Sequence, residues 1–369
     1  MFVAIRDIRF AKGRFALMGS VVALITLLVV LLSGLTAGLA DESVSAVDRL
    51  PADRIAFGAA GDSAPEESFA DSSVTTHQVD TWAAADGVDW AEPLGITPTR
   101  LEAPDGSTVA ATVFAARPGG RLAPSGTADD GLVIGRKLAD EKGLEVGDTL
   151  HLGDAELAVT RIGPDSSYSH TPVVWTSLDT WRSSAAAGRS ADDAPAGTVV
   201  AVGTDGAGAD APDADAIAAI DSDAGTVSAT RSDSRSAVGA FSSENGSLLM
   251  IQGFLYAISA LVVGAFLTVW TIQRSGDIAI LKALGGSTGY LLRDALAQAL
   301  MVLLAGAGAG GLAGLGVGML AERVVPFSLS AATTALPVAA MVALGMLGAV
   351  LSVRRITSVD PLTALGGVR

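Results

Sequence analysis

The sequence contains no cysteine among its 369 residues, and only four of its residues are lysine. Without thiols the chain forms no disulfide, no thiolate-bound zinc or iron–sulfur site and no cysteine nucleophile. Acidic residues outnumber lysine and arginine by 39 to 24, and a net charge of −15 is unsuited to binding nucleic-acid phosphates. Charged residues make up 17% of the chain, below the usual quarter. With a mean hydropathy of +0.47, this composition is too apolar for an ordinary soluble domain.

Motifs for nucleotide binding and for hydrolysis are also missing from the sequence. No G-x-x-x-x-G-K-[ST], G-x-S-x-G or H-E-x-x-H run occurs, so the chain has no Walker A phosphate loop of its own. The long apolar stretches carry no acidic or basic residue, which argues against an ion-driven carrier. Energy for any transport is therefore expected from outside the membrane domain, and we assign no catalytic and no metal-binding residue.

Long apolar stretches dominate what is present. Four stretches lack Asp, Glu, Lys and Arg, namely 15–40, 245–273, 295–321 and 324–353. Each exceeds the roughly 20 apolar residues that cross a bilayer. The first also exceeds the roughly 7–15 apolar residues of a signal peptide, which favours a retained anchor. The expected fold class is membrane α-helical, with four transmembrane helices and a large extracellular α+β domain between helices 1 and 2.

The distribution of charge predicts the orientation of these helices. The three segments outside the spans at 1–14, 274–294 and 354–369 hold 10 basic and 4 acidic residues, whereas 41–245 holds 13 basic and 34 acidic residues. Because Lys and Arg are enriched on the cytoplasmic side, both termini are predicted to be cytoplasmic and the acidic segment extracellular. In order, the predicted parts are a cytoplasmic amphipathic helix (1–14), transmembrane helix 1 (15–40), the extracellular α+β domain (41–245), transmembrane helix 2 (246–273), a cytoplasmic coupling segment (274–294), transmembrane helix 3 (295–320), an extracellular loop (321–334), transmembrane helix 4 (335–353) and a cytoplasmic tail (354–369).

Within the outer domain, residues 131–163 have the clearest local pattern. They predict a strand end, a short helix ending at Gly143, and two alternating strands joined by a hairpin turn at Gly153-Asp154. Further strands are predicted at 173–175 and 198–202. The stretches 183–197 and 203–215 are rich in Ala, Gly, Asp and Ser and predict loops.

Glycine recurs at every fourth position in the third apolar stretch, at Gly306, Gly310, Gly314 and Gly318. Small residues at this spacing allow helix backbones to approach closely in lipid. We therefore interpret the stripe as a helix-packing surface rather than a nucleotide-binding loop.

Two cytoplasmic segments carry a recognisable pattern. The first reads Arg274-Ser-Gly-Asp-Ile-Ala-Ile-Leu-Lys-Ala-Leu-Gly-Gly-Ser287, and the second, near the end of the chain, reads Asp360-Pro-Leu-Thr-Ala-Leu365. Both resemble signatures of FtsX/MacB-type ABC transporter permeases. The outer segment Gly143-Leu-Glu-Val-Gly-Asp-Thr-Leu150 is similar to a motif of the same family. The N-terminal segment from Ile5 to Gly19 resembles the HrtB/DevC haem-exporter subgroup most.

The resemblance implies a permease subunit of an ATP-driven efflux pump that exports haem from the membrane by mechanotransmission. It implies a homodimer in membrane lipid, paired with two copies of a separate ABC ATPase subunit that binds ATP–Mg. No permanently bound cofactor is expected, haem being a substrate. Two alternatives stay open, namely a non-transporting FtsX-like regulator of cell-wall hydrolases and a lipoprotein or lipid extraction permease.

The first of these two segments, 274–287, also has an amphipathic residue pattern. A short amphipathic helix is predicted at 277–284, ended by Gly285-Gly286, with Ser287 capping the next helix. The family match favours a coupling helix that seats in the ATPase over an ordinary connector at the membrane surface. The predicted ATPase-coupling residues are Asp277, Ile278, Ile280, Leu281, Lys282, Leu284 and Gly285.

Haem export would require iron ligands, which in proteins are His, Tyr, Met or Cys. The candidates are Met250 first, Tyr168 second and His170 third, with Glu244 and Tyr256 nearby in the expected arrangement. Tyr168 and His170 are two residues apart and would share one face of an extended strand. Each candidate also fits an ordinary packing or surface role.

Overall fold

The computed structural model describes residues 12–61, 63–185, 195–204, 212–273 and 287–354. The chain divides into two compact units. The membrane unit consists of Met1–Gly38 and Asn245–Arg369, and the sheet unit consists of Leu39–Glu244. In chain order the elements are α1 (Lys12–Asp48), β1 (Arg54–Phe57), α2 (Thr76–Ala83), β2 (Val88–Glu102), β3 (Thr108–Ala116), β4 (Gly131–Gly135), α3 (Arg136–Lys142), β5 (Thr149–Leu152), β6 (Ala155–Gly163), β7 (Ser167–Tyr168), β8 (Thr171–Ser177), α4 (Leu178–Ala185), β9 (Val199–Thr204), α5 (Ala214–Ala224), β10 (Val227–Thr230), a 3₁₀ helix (Asp233–Ala237), α6 (Gly239–Gln273), α7 (Thr288–Ala321) and α8 (Ala331–Arg354).

Four helices are long and apolar enough to cross a membrane, through Phe15–Asp48, Gly239–Phe266, Leu292–Ala321 and Ala331–Ser352. With the α+β sheet unit inserted between the first two of them, the fold is membrane α-helical with an α+β domain between helices 1 and 2, as predicted.

The helix ends differ from the stretches that hydropathy marked. Helix α1 continues past residue 40 to Asp48, and α6 begins at Gly239 rather than 246. The added turn of α1 is stabilised because Val44 and Val47 are buried in the core of the sheet unit. Helix α8 begins at Ala331 rather than 335, because the hydroxyl of Ser330 accepts the Thr333 N–H at 3.0 Å and caps the helix there.

The glycine stripe of α7 packs as predicted. A Cβ on Gly310 would run into the backbone carbonyl of Ala23 in α1, and a Cβ on Gly306 would meet the carbonyl of Gly19 at 2.8 Å. Gly314 meets Val30. At Gly306 and Gly310 glycine is required because the backbone of α7 lies directly against the backbone of α1. The start of α7 also matches the prediction, since the Ser287 hydroxyl accepts the Tyr290 N–H.

Helix α8 packs on α7 and α6. Gly345 leaves room for Leu303 of α7, and Gly348 lies against the Ala260 carbonyl of α6. The Ser352 hydroxyl donates to the Gly264 carbonyl of α6 at 2.9 Å. Such interhelical hydrogen bonds add to van der Waals packing where lipid supplies no hydrophobic drive.

The sheet unit is built on one long bent strand. The first part of β2 pairs with β9, which continues through β1 to β10. The second part of β2 pairs with β3, and the order continues β8, β4, β6 and β5. The pair Glu102–His151 joins β5 back to β2, so these six strands close into a ring. Its interior is filled by side chains such as Leu101, Leu132 and Leu150.

The local predictions for 131–163 are confirmed. Helix α3 ends at Gly143 in the left-handed conformation (φ 63°), and β5 and β6 form the predicted hairpin. The predicted loops are too long at their edges, since α4 runs to Ala185 and α5 starts at Ala214. Asp213 fixes that start by accepting the Ala216 N–H. Residues 186–194 and 205–211 lie outside the described residues.

Candidate functional site

The last turns of α1 are anchored inside the sheet unit. Val44, Val47 and Leu50 are buried with Phe57 and Tyr168 in one core cluster. The Ser45 hydroxyl, also buried, accepts the backbone N–H of Ser167 at 2.9 Å. This segment of α1 is therefore part of the domain's core rather than a linker that leads into it.

A strained turn between β7 and β8 is hydrogen-bonded to the same last turns of α1. Ser169 and His170 have positive φ angles of 49° and 64°, a conformation uncommon outside glycine. Their N–H groups donate to the carbonyl oxygens of Ser43 at 2.9 Å and Glu42 at 3.1 Å. Such strain persists only where surrounding contacts fix it, and here the contacts are to α1.

The side chain of His170 extends this contact to a second helix. Its Nε2 lies 3.0 and 3.1 Å from the two carboxylate oxygens of Glu244, in the first turns of α6. Because a carboxylate only accepts, Nε2 carries a proton and donates to Glu244. The Ser43 hydroxyl lies 3.1 Å from the same nitrogen and accepts a share of that hydrogen bond. We define Glu42, Ser43, His170 and Glu244 as the His170 cluster.

Further charges surround the cluster. Nδ1 of His170 is 3.9 Å from Glu42, and Lys137 of α3 is 3.7 Å from the other oxygen of the same carboxylate. The backbone N–H of Lys137 is in turn held by Asp165 at 2.7 Å. The His170 side chain keeps 31% of its surface exposed, so these pairs are partly screened by water. The cluster thus joins α1, α3, the β7–β8 turn and α6 within the sheet unit.

Tyr168 lies on the other side of the same turn. It is buried, and its ring makes edge contacts with Phe69 at 5.9 Å and Phe114 at 5.7 Å between centroids. Burial raises the pKa of its phenol well above the usual range. The left-handed turn places Tyr168 and His170 in different environments, so the extended arrangement that would put them on one face is absent.

The remaining predicted ligand residues lie on α6 in the membrane unit. Met250 is 63% exposed, so its thioether is available to a partner. Tyr256 is half-buried, and its hydroxyl lies 3.4 Å from the side-chain nitrogen of Gln252 one turn earlier. Within the described part of the chain, no three His, Asp or Glu side chains are arranged to hold a metal ion.

The predicted ATPase-coupling residues, Asp277 to Gly285, lie outside the described residues. Sequence reasoning named His170 and Glu244 but missed Glu42, Ser43 and Ser45. A signal for them was present, because Val44 and Val47 continue an apolar helical spacing beyond the first charged residues.

Comparison with known proteins finds similarity to permeases. Residues 236–361 match the model of the FtsX-like permease C-terminal region. A Mycobacterium tuberculosis protein named as an uncharacterized ABC transporter permease is 28% identical over 377 residues, covering 100% of this chain and 99% of the relative. The Staphylococcus epidermidis protein named "Putative hemin transport system permease protein HrtB" is 30% identical over 139 residues, 38% of this chain and 40% of the relative.

Two solved structures are similar to about half of the chain. The periplasmic region of MacB from Actinobacillus actinomycetemcomitans aligns with 52% of this chain and 94% of its own, at 10% identity and a TM-score of 0.36. The extracellular domain of YknZ from Gram-positive bacteria aligns with 48% of this chain and 98% of its own, at 12% identity and a TM-score of 0.32.

Four apolar helices and full-length similarity to ABC permeases define a membrane-embedded transporter subunit. The family match is more specific, because residues 236–361, which include α6, α7 and α8, match the C-terminal region of FtsX-like permeases. A permease of this kind implies a separate ATPase subunit as its partner.

Proposed function

We propose that this permease drives ATP-dependent efflux of an amphipathic molecule, with haem as the first candidate, by mechanotransmission. The observation that carries the proposal is the His170 cluster, in which the imidazole of His170 donates to Glu244 of α6 and its backbone N–H donates to the carbonyl of Glu42 in α1. Both helices continue into the membrane unit. A displacement of either helix that starts at the ATPase would therefore be passed to the sheet unit at this joint.

Packing supports the mechanical part of the proposal. Val44 and Val47 at the end of α1 share a core cluster with Val238 and Phe241 at the start of α6. Close-packed interiors deform little. A displacement of helices whose ends are buried in one core is therefore passed on to the rest of that core. Neither helix can shift without moving the residues around the turn at His170.

The orientation is part of the proposal. The excess of basic residues at 1–14, 274–294 and 354–369 favours a cytoplasmic location for these segments, and the acidic sheet unit would then be extracellular. The ATPase would contact the segment at 274–294. A homodimer of the permease with two ATPase subunits would provide two sets of α1 and α6 helices around one path.

Haem is proposed because of the partial similarity to the HrtB protein and because a suitable donor is free on α6. Met250 is exposed at 63%, whereas Tyr168 is buried and Glu244 is already bonded to His170. A thioether is an established axial ligand of haem iron. We therefore retain Met250 as the proposed ligand, with Tyr256 below it on the same helix, and assign His170 and Glu244 to the joint.

Purification of the permease–ATPase complex with added haem tests the substrate. A Soret band should accompany the wild-type protein, and Met250→Leu, which removes sulfur at nearly constant volume, should shift or lose it. Ile251→Leu, at a similarly exposed neighbouring position, is the control and should keep the band.

Two results would contradict this part of the proposal. An unchanged spectrum in Met250→Leu would exclude the thioether as a ligand. The absence of a Soret band in the wild type, together with capture of a cell-wall hydrolase or accumulation of lipoprotein in depleted cells, would favour the regulator or the extraction permease instead.

A further inference from the structure

A groove runs along the membrane unit between α7 and α8. It encloses about 630 Å³ and leads from Gly308 towards the end of α7. Its lining includes Gly308, Gly311, Leu312 and Met319 of α7 and Ala335 of α8. Leu312 and Met319 are 72% and 60% exposed, so this apolar surface is not covered by the described part of the chain.

The length of the groove fits one lipid chain. From Gly308 to Met319 the helix rises by roughly 16 Å at about 1.5 Å per residue. The hydrocarbon core of a bilayer is about 30 Å thick, so one leaflet is about 15 Å deep. A groove of this length, open along an apolar helix pair, accommodates one extended acyl chain of a single leaflet.

A basic residue follows the end of α7, four positions after Met319 of the groove. Arg323 lies one turn beyond Met319 and is exposed, and no carboxylate among the described residues pairs with it. The neighbouring Glu322 is engaged elsewhere, because its carboxylate accepts the Leu329 N–H at 3.0 Å. A guanidinium at the level where a helix leaves the membrane is suited to binding a lipid phosphate.

A polar group in the wall adds to this pattern. Thr334 lines the groove and is 9% exposed, and its hydroxyl has no hydrogen-bond partner among the residues that the structure describes. It lies on α8 one turn after Ser330, close to the end at which α8 begins. A buried hydroxyl without a partner is costly, and an ester carbonyl of a lipid is an acceptor that would satisfy it.

We propose that the groove between α7 and α8 binds one acyl chain of an anionic phospholipid, whose phosphate pairs with Arg323. The site is separate from the joint at His170 and from the proposed haem ligand on α6.

The test compares two lipids with identical acyl chains, phosphatidylglycerol and phosphatidylcholine, on the full permease–ATPase complex. Native mass spectrometry after exposure of the delipidated complex to vesicles counts the retained lipids. The wild type should retain phosphatidylglycerol preferentially, and Arg323→Gln should lower that retention about fivefold, the usual effect of one basic residue at an anionic surface.

A second variant fills the groove without disturbing the helix packing. A Cβ on Gly308 meets nothing within 4 Å, so Gly308→Leu should place its side chain in the groove and expel the acyl chain. Gly316 on the same helix is equally unobstructed but does not line the groove, so Gly316→Leu should keep the lipid. Both variants should remain assembled with the ATPase.

Several results would overturn the proposal. Equal retention of the two lipids, or no effect of Arg323→Gln, would exclude recognition of the phosphate. Displacement of phosphatidylglycerol by glycerol 3-phosphate alone would show an anion site without an acyl-chain groove. Conversion of a dimer to a monomer by Gly308→Leu would show that a second copy of the chain occupies this surface.

Discussion

The imidazole Nε2 of His170 donates a hydrogen bond to the carboxylate of Glu244 at 3.0 Å, across 74 residues of sequence. Glu244 belongs to the first turns of α6, and the backbone N–H of His170 is bonded to the carbonyl of Glu42 in α1. One turn between two strands therefore contacts both helices that connect the sheet unit to the membrane unit.

Replacing His170 by alanine should separate ATP hydrolysis from transport. The side chain is partly exposed, so its pairs contribute about 1 kcal/mol or less to stability, and the variant should fold. Hydrolysis by the reconstituted complex should continue, while haem export should fall severalfold because α6 is no longer tied to the turn. Parallel measurement of phosphate release and haem export provides the check.

His77→Ala is the control for this experiment, since His77 is an exposed residue of α2 away from the cluster. Haem binding distinguishes a mechanical role of His170 from a role as a haem ligand. If the role is mechanical, His170→Ala should leave the Soret band unchanged. Export at the wild-type rate in His170→Ala would exclude a mechanical role for the cluster.

Gly310→Val should prevent α1 from packing on α7. A Cβ at this position would collide with the Ala23 carbonyl and the Thr26 side chain. Overpacking of this kind typically costs about 1–3 kcal/mol, and a backbone obstacle leaves little room for relief. The midpoint of thermal unfolding of the detergent-purified protein should fall, whereas Gly316→Val, with nothing within 4 Å, should leave it unchanged. Equal midpoints would contradict the observed helix contact.

The buried phenol of Tyr168 predicts a dependence of stability on alkaline pH. Burial raises its pKa above the ordinary 10.0, so above that pH the unfolded chain loses a proton that the folded chain retains. The free energy of unfolding is therefore unaffected by this group below pH 10.0. Above that pH it falls by up to about 1.4 kcal/mol per pH unit for one such group.

Tyr168→Phe should remove this component while keeping the edge contacts with Phe69 and Phe114. Urea unfolding at several pH values from 9 to 11 gives the slope of the unfolding free energy against pH for the wild type and for the variant. Identical slopes would show that the Tyr168 phenol ionises as it does in water.

The segment at 274–294 carries a prediction from sequence. Ile280→Asp should place a charge on the apolar face of the predicted coupling helix and reduce transport-coupled ATP hydrolysis without preventing assembly. Ile280→Val keeps that face apolar and is the matched control. Coupled hydrolysis at the wild-type level in a fully assembled Ile280→Asp complex would refute a coupling role.

Local features of the fold could be predicted because they depend on neighbouring residues. Gly143 ends a helix since glycine adopts positive φ freely, and Ser287 begins one since its hydroxyl accepts the Tyr290 N–H. The spacing of Gly310 and its neighbours indicated a packing surface. These inferences needed no knowledge of distant parts of the chain.

The His170 cluster could not be predicted in this way. Its three chain segments, at 42–43, 170 and 244, are separated by more than 70 residues each, and the contact depends on a left-handed turn that the sequence around His170 does not require. Hydropathy also placed the end of α1 too early, because Asp41 and Glu42 end an apolar run without ending a helix. The charged residues that mark the membrane boundary in sequence are the ones that form the joint.

ATP-dependent transfer of haem from proteoliposomes to an external apo-haemoprotein tests the central claim most directly. With the permease and its ATPase reconstituted together, the acceptor's Soret band should grow on addition of ATP–Mg. Its growth should be severalfold slower in His170→Ala while phosphate release continues. Transfer that proceeds equally without ATP, or that is unaffected by loss of His170, would contradict the account.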